Sequence, residues 1–240
     1  MTGKRISTTL FGLVLLGSAL VACRRETVPV TDRGTNYYPY KPGLWWEYDV
    51  DSTWHNDFSG DTVHVEFILR EVFDTFFVAD DGTPAMRIER YRRPNANAAW
   101  QGPRIWWTYT TPDYVVKVEE NNPYVKLNFP VQAGVEWNGN RLNYMDARTY
   151  RYENVDRPLV LDAHVFDSTA AVLQIDFETL LEKQLYREKY ARHIGLVDRS
   201  VIDIRGYTDS DNIPDTIVKP LMNRIKSGVV IRQKIRDWGM

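Results

Sequence analysis

The stretch Thr62-Val63-His64-Val65-Glu66-Phe67-Ile68-Leu69-Arg70 decides the fold class. Val63, Val65, Phe67 and Leu69 fall on one side of an extended chain, with His64, Glu66, Ile68 and Arg70 on the other. Such period-two alternation is the signature of a strand, whose successive side chains point to opposite faces. Upstream, Leu44-Trp45-Trp46-Glu47-Tyr48-Asp49-Val50 sets Trp46, Tyr48 and Val50 against Glu47 and Asp49. Downstream, Phe73 to Val78 and Ala85 to Tyr91 flank Asp80-Asp81-Gly82-Thr83-Pro84, a hairpin signal. Arg104 to Thr110 pairs with Tyr114 to Glu119 across Thr111-Pro112-Asp113, and Asn121-Asn122-Pro123 turns the chain into Tyr124 to Phe129. Residues 130–143 read as irregular. Ala147 to Asn154 and Leu159 to Phe166 form a pair around Asp156-Arg157-Pro158, and Ala171 to Phe177, Leu196 to Arg205 and Gly228 to Trp238 complete the series.

Only residues 178–193 give helix a serious claim, although Tyr186 and Tyr190 also suit a strand. Phe177, Leu180, Leu181 and Leu185 recur at three to four residues, which predicts a short helix or an irregular bend entering a strand. The expected class is therefore mainly β: an antiparallel curved sheet forming a sandwich or incomplete barrel, with at most one or two short helices.

The 240-residue chain carries a formal net charge of −2 and 13% aromatics, so neither a disordered chain nor a polybasic nucleic-acid binder is expected. Its single cysteine excludes an intramolecular disulfide framework and a cysteine-rich zinc site. The position of that cysteine is informative. Lys4 and Arg5 precede an apolar run from Leu10 to Val21 that is shorter than a comfortable bilayer span of about 20 residues. The run closes on Leu20-Val21-Ala22-Cys23.

Those four residues resemble the bacterial lipobox, Leu-(Ala/Ser/Thr/Val)-(Gly/Ala)-Cys. The resemblance implies cleavage before Cys23, diacylglycerol on its thiol and acylation of the new amino terminus, a palmitate-type modification. Each buried methylene contributes about 0.8 kcal/mol, so two or three chains anchor firmly where one does not. The expected organisation is a lipoprotein signal peptide over 1–22, a flexible tether over 23–36 and a single β-rich domain over 37–240. A body of that size buries about 70% of its unfolded surface around one core. Arg24-Arg25-Glu26 has no aspartate after the cysteine, which resembles an outer-membrane destination and a periplasm-facing anchor.

Two further motifs resemble Bacteroidetes-type envelope lipoproteins. Tyr38-Pro39-Tyr40-Lys41-Pro42-Gly43-Leu44-Trp45-Trp46-Glu47-Tyr48 is similar to an opening found in many secreted bacterial β-proteins, where Pro and Gly turn an aromatic first strand into the core. Glu188-Lys189-Tyr190-Ala191-Arg192-His193-Ile194-Gly195-Leu196-Val197 is similar to a segment preceding a long strand and a closing Gly-led strand. These uncharacterised families imply a β-rich envelope protein and no activity.

Candidate chemistry is sparse. There is no Gly-x-Ser-x-Gly elbow, Ser-x-x-Lys or HExxH pair, and His55, His64, His164 and His193 are scattered, so no catalytic residue and no cofactor are expected. His64 and Glu66 share a strand face, which supplies two metal ligands at most; a solvated polar stripe is the ordinary reading. Asp209, Asp211 and Asp215 resemble the tail of a calcium loop, but Asn212 stands at the turn glycine and Val218 at the closing carboxylate; a polar surface turn competes. Trp45-Trp46 and Trp106-Trp107 each place indoles on both faces, so one member can enter the core. Trp45 and Trp106 are the candidate contacts for an apolar, lipid or glycan ligand. Arg87, Arg90, Arg92, Arg93 and Arg104 form a basic neighbourhood, for which cross-strand pairing with Glu66, Glu71 and Glu89 is the simpler explanation. The function expected is a lipid-anchored envelope protein with a binding or accessory role; the alternative is a glycan-binding or glycan-hydrolysing module.

Overall fold

The computed structural model describes residues 32–207 and 220–240. The strands are β1 (Trp45–His55), β2 (Thr62–Val78), β3 (Pro84–Arg93), β4 (Gln101–Thr110), β5 (Tyr114–Glu119) and β6 (Asn122–Asn128). They continue as β7 (Glu136–Asn138), β8 (Thr149–Leu161), β9 (His164–Glu178), β10 (Glu182–Ala191), β11 (Gly195–Gly206) and β12 (Ile225–Gly239). Helix among the described residues is confined to 3-10 turns at Thr35–Tyr37 and Leu221–Asn223.

All twelve strands lie in one antiparallel sheet, ordered β6-β5-β4-β3-β2-β1-β12-β11-β10-β9-β8-β7. Every consecutive pair of strands except β6 and β7 is thus adjacent, and β12 returns to pair with β1. The sheet is an up-and-down barrel closed everywhere except between β6 and β7. That seam is bridged by single contacts: the Val125 N–H donates to the Gly139 carbonyl (2.9 Å), the Trp137 indole donates to the Val125 carbonyl (2.8 Å), and the Tyr152 hydroxyl donates to the Asn128 carbonyl (2.8 Å). Gly139 is required here, because a Cβ would run into the Tyr150 ring.

Closure of a sheet demands bends, and these fall at breaks of register. Between Glu47 and Tyr48 the partner on β12 jumps from Asp237 to Ile235. Between Tyr186 and Arg187 the partner on β9 jumps from Ile175 to Leu173, leaving Gln174 as the extra residue. Two apolar clusters are buried against the sheet. One gathers Val116, Val125, Leu127, Trp137, Tyr152 and Val172 where β5 and β6 meet β7–β9. The other gathers Trp46, Tyr48, Phe73, Ile88, Trp106 and Ile235 where β1–β4 face β12.

The alternation that predicts β1, β2 and the hairpin at residues 80–84 is what forms. Three local expectations are corrected. Residues 182–191 are strand β10: Phe177 belongs to β9, and Leu180 and Leu181 lie in a tight turn in which the Thr179 hydroxyl accepts the N–H groups of Leu181 and Glu182. Pairing on both sides, with β9 and β11, overrides the helical spacing. Asp156-Arg157-Pro158 is not a turn but an irregularity inside β8, with Asp156 at φ +55°; the chain reverses after Leu161, at Asp162 (φ +51°). Phe73 to Val78 continues β2 through a register shift rather than starting a new strand. Residues 130–143, read as irregular, contain the three-residue β7.

The segment before β1 is packed against the sheet. The Tyr37 ring is fully buried, and its hydroxyl donates to Asp156 (2.8 Å) and lies 2.8 Å from the Ser168 hydroxyl. Arg33 and Asn36, assigned by sequence to the tether, are held by Asp113 (3.0 Å) and Arg192 (2.9 Å).

Candidate functional site

The barrel interior carries charge. On β5 and β6, single lysines interrupt runs of buried valine and leucine: Val115-Val116-Lys117-Val118 and Val125-Lys126-Leu127. Alternation turns these lysines onto the face that looks at β2 and β10. Lys117 meets Glu71 at 2.8 Å, and Glu71 also accepts from Arg90 at 2.8 Å. Lys126 meets both Glu119 and Glu188 at 3.0 Å, and Arg199 approaches the same two carboxylates at 3.7 and 3.6 Å. The Tyr190 hydroxyl donates to Glu188 at 2.7 Å.

Burial alone pushes these carboxyls up, because the charged form loses its water. The cations win. Lys117 and Arg90 hold Glu71 below its ordinary value, and Lys126 and Arg199 do the same for Glu119 and Glu188. Burial likewise opposes the charge of Lys126 and Arg199, and the glutamates raise both. Tyr48 and Tyr190 are raised well above the phenol range, by burial first and then by neighbouring glutamates. Glu71, Glu119, Glu188, Lys126 and Arg199 are therefore all held in their charged forms at neutral pH. The interior gap bounded by Tyr38, Trp46, Tyr48, Glu71, Phe73 and Lys117 measures about 20 Å³, room for one water and no ligand.

The inward face does not end with this core. β2, β1, β12, β11, β10 and β9 run past their shorter neighbours. Residues 62–67 of β2 have no partner on β3, and residues 174–178 of β9 have none on β8. On this apron the register aligns Val63 and Val65 with Trp54 and Ser52, and these with Val229 and Ile231. Trp54 is 49% exposed and Val65 47%. The row continues onto β11 and β10, where the Tyr186 hydroxyl donates to Asp203 (2.6 Å) and Gln184 donates to the other oxygen of Asp203 (3.3 Å). Burial, then Asp203, raise the Tyr186 phenol, keeping it a donor. Phe177, 46% exposed, closes the row on β9. An apolar sector thus lies beside a hydrogen-bonded polar one.

The residues singled out from sequence are placed as follows. Trp106 is only 7% exposed; the Arg90 guanidinium covers its ring at 3.4 Å and its indole donates to Glu120 at 3.2 Å. Trp45 is half-buried on the outer face beneath Arg70, 4.7 Å above its ring. Cys23 and the loop residues Asp209, Asp211 and Asp215 lie outside the described residues. The arginine neighbourhood resolves into pairs: Arg90 with Glu71, Arg87 with Glu89 (2.9 Å) and Arg93 with Glu47 (3.4 Å). His64 and Glu66 are joined on the outer face by Asp51, their ligand atoms all within 4.8 Å. All three are exposed, and the Thr53 hydroxyl already lies 3.0 Å from His64 Nδ1.

Sequence reading passed over the interior ions and Trp54. The signal for the former was a lone lysine inside a buried valine run. For Trp54 it was an indole in phase with Trp46, Tyr48 and Val50, although its exposure follows from where β3 and β8 end and was not legible locally.

No family model matches the chain, and no curated protein matches it. Two solved structures are similar at low identity. A Bacteroides fragilis protein provisionally described as exported, with a YmcC-like fold, aligns at 11% identity and a TM-score of 0.44, covering 85% of this chain and 98% of that one. A Parabacteroides distasonis protein provisionally described as a lipoprotein aligns at 10% identity and a TM-score of 0.40, with the same coverage. At these scores neither assigns a family or an activity.

Proposed function

We propose that this protein is a lipid-anchored component of the bacterial cell envelope that binds an amphiphile on the apron of its barrel. Cys23 carries the anchor, as the Leu20-Val21-Ala22-Cys23 pattern implies, and the outer membrane facing the periplasm is the assigned destination. One observation supports the binding role above others: the inward sheet face stays apolar and exposed at Trp54, Val63, Val65 and Phe177 after its neighbours have ended. Each acyl methylene withdrawn from water against this face contributes about 0.8 kcal/mol. The Tyr186–Asp203–Gln184 group at its margin accommodates a polar head. No residue is assigned a catalytic role: Glu71 and Glu188 are held by Lys117 and Lys126, and the gap beside Glu71 measures only about 20 Å³.

Delipidated protein titrated with cis-parinaric acid tests the binding role by the fluorescence of the bound polyene. Saturable binding that falls at least tenfold in Val63→Asp and Val65→Asp is the expected result. No binding, or equal binding by both variants, overturns it. For the anchor, Cys23→Ser abolishes radiolabelled palmitate incorporation; unchanged labelling refutes the assignment.

A further inference from the structure

The β8–β9 ladder ends at Arg151↔Leu173, and beyond it the two strands part. A cleft of about 420 Å³ opens there, with Arg148, Thr149 and Arg151 on one wall, Gln174 and Asp176 on the other, and Glu136 of the edge strand β7 beside them. Three features set it apart from an ordinary surface furrow. Gln174 is the extra residue of the β9 bulge, 5% exposed, and its amide nitrogen has no hydrogen-bond partner. A buried donor left unsatisfied costs about 1–3 kcal/mol, and bulges recur where a side chain is re-aimed at a site.

The charges are also uncommitted. Glu136 and Arg151 are direct cross-strand partners, yet they form no ion pair. Asp176 has no ion pair or side-chain hydrogen bond among the described residues, and the Arg148 guanidinium only overlies the Tyr186 ring at 5.4 Å. Direct cross-strand partners on β10 and β11 do close to a salt bridge, as Arg205 does with Glu182 at 3.0 Å. Finally, where the strands part, the facing backbone edges of β8 and β9 have no ladder partner.

We propose that this cleft binds a short peptide with free termini. Two cations and two carboxylates make the lining neutral, so a ligand of one sign meets two like charges, whereas a zwitterion meets only opposite ones. Arg151, with the Gln174 amide donating beside it, suits the carboxylate; guanidinium–carboxylate contacts are the bidentate, charge-assisted kind. Asp176 and Glu136 suit the ammonium. The unpaired strand edges receive the peptide amide between the termini, as strand-addition recognition does. This separates a peptide from other zwitterions. The cleft falls in the size range of small-ligand sites.

The test is isothermal titration of the full-length, detergent-solubilised protein with three probes at low salt: L-Ala-L-Ala, its N-acetyl form and its C-terminal amide. The expected result is binding of the free dipeptide, at least tenfold weaker for either blocked form, and lost in Arg151→Gln. Both variants used, Arg151→Gln and Glu136→Gln, change exposed side chains, and circular dichroism checks that the barrel persists. Equal affinity for the three probes overturns the proposal, as does no heat with the free dipeptide or unchanged affinity in Arg151→Gln. The apron variants Val63→Asp and Val65→Asp leave dipeptide binding intact, so this proposal and the amphiphile reading fail separately.

Discussion

Replacing Lys126 by methionine removes one ammonium from the barrel and nothing else of its bulk. The side chain is buried, the residue being 3% exposed, and it sits 3.0 Å from both Glu119 and Glu188. At an effective dielectric of 20, one contact at that distance is worth roughly 5 kcal/mol before desolvation is subtracted. Among the described residues Arg199, at 3.6–3.7 Å, then remains the cation within salt-bridge distance of both carboxylates. Removing one partner of a buried pair costs about 3–5 kcal/mol, because the stranded charge keeps its desolvation penalty. For a domain of this size each kcal/mol lowers Tm by about 2–4 °C, so Lys126→Met melts roughly 6–20 °C below the parent. The pH dependence carries the sharper signature. In the parent, both glutamates are held below their ordinary value, so its stability is flat from pH 7 to pH 5 on their account. In the variant a carboxyl rises above its unfolded value and takes up a proton as pH falls, which recovers stability. Urea unfolding followed by tryptophan fluorescence at pH 7 and pH 5 reads both effects. A loss under about 1 kcal/mol at pH 7, or a deficit that widens toward pH 5, refutes the account of the interior as an ionised network.

Two further perturbations follow from the same structure. The parent's acid limb comes from Glu71, Glu119 and Glu188, whose folded values lie below the unfolded one. Their stabilisation is complete above the unfolded value of about 4.3 and is lost progressively as pH falls below it, measured as a steepening of Tm against pH. Glu188→Gln reduces that slope, and an unchanged slope contradicts the assignment. Gly228→Ala places a Cβ against the Asp203 carbonyl at φ +121°, within the β11–β12 ladder. It costs about 2 kcal/mol or more by chemical denaturation, whereas the same change at Gly60 meets open space and costs only the strain of its φ.

The sequence by itself determined the strands. Period-two alternation at Val63-Val65-Phe67-Leu69 and Trp46-Tyr48-Val50 needs no partner to be legible, because it follows from the pleat of one extended chain. It also carries Leu20-Val21-Ala22-Cys23, whose resemblance to a lipobox is legible without any fold. Where local pattern and pairing disagreed, pairing won: Leu180 and Leu181 sit at helical spacing yet turn one strand into the next, because β9 and β11 both offer hydrogen-bonding edges to residues 182–191. Likewise Asp156-Arg157-Pro158 carries turn residues but lies within β8. What only the tertiary structure decided is which inward residues are covered. Trp54 and Trp106 are both inward-facing indoles, and no local rule separates them. Trp106 ends beneath Arg90 within the closed barrel, while Trp54 stands where β3 and β8 have already ended. The same holds for the charges: a lysine in a valine run announces that something must meet it, but only closure of the sheet brings Glu188, 62 residues away, to Lys126. Strand pattern is a property of neighbours in sequence, whereas burial and electrostatic partners are properties of strand order and length across the whole barrel.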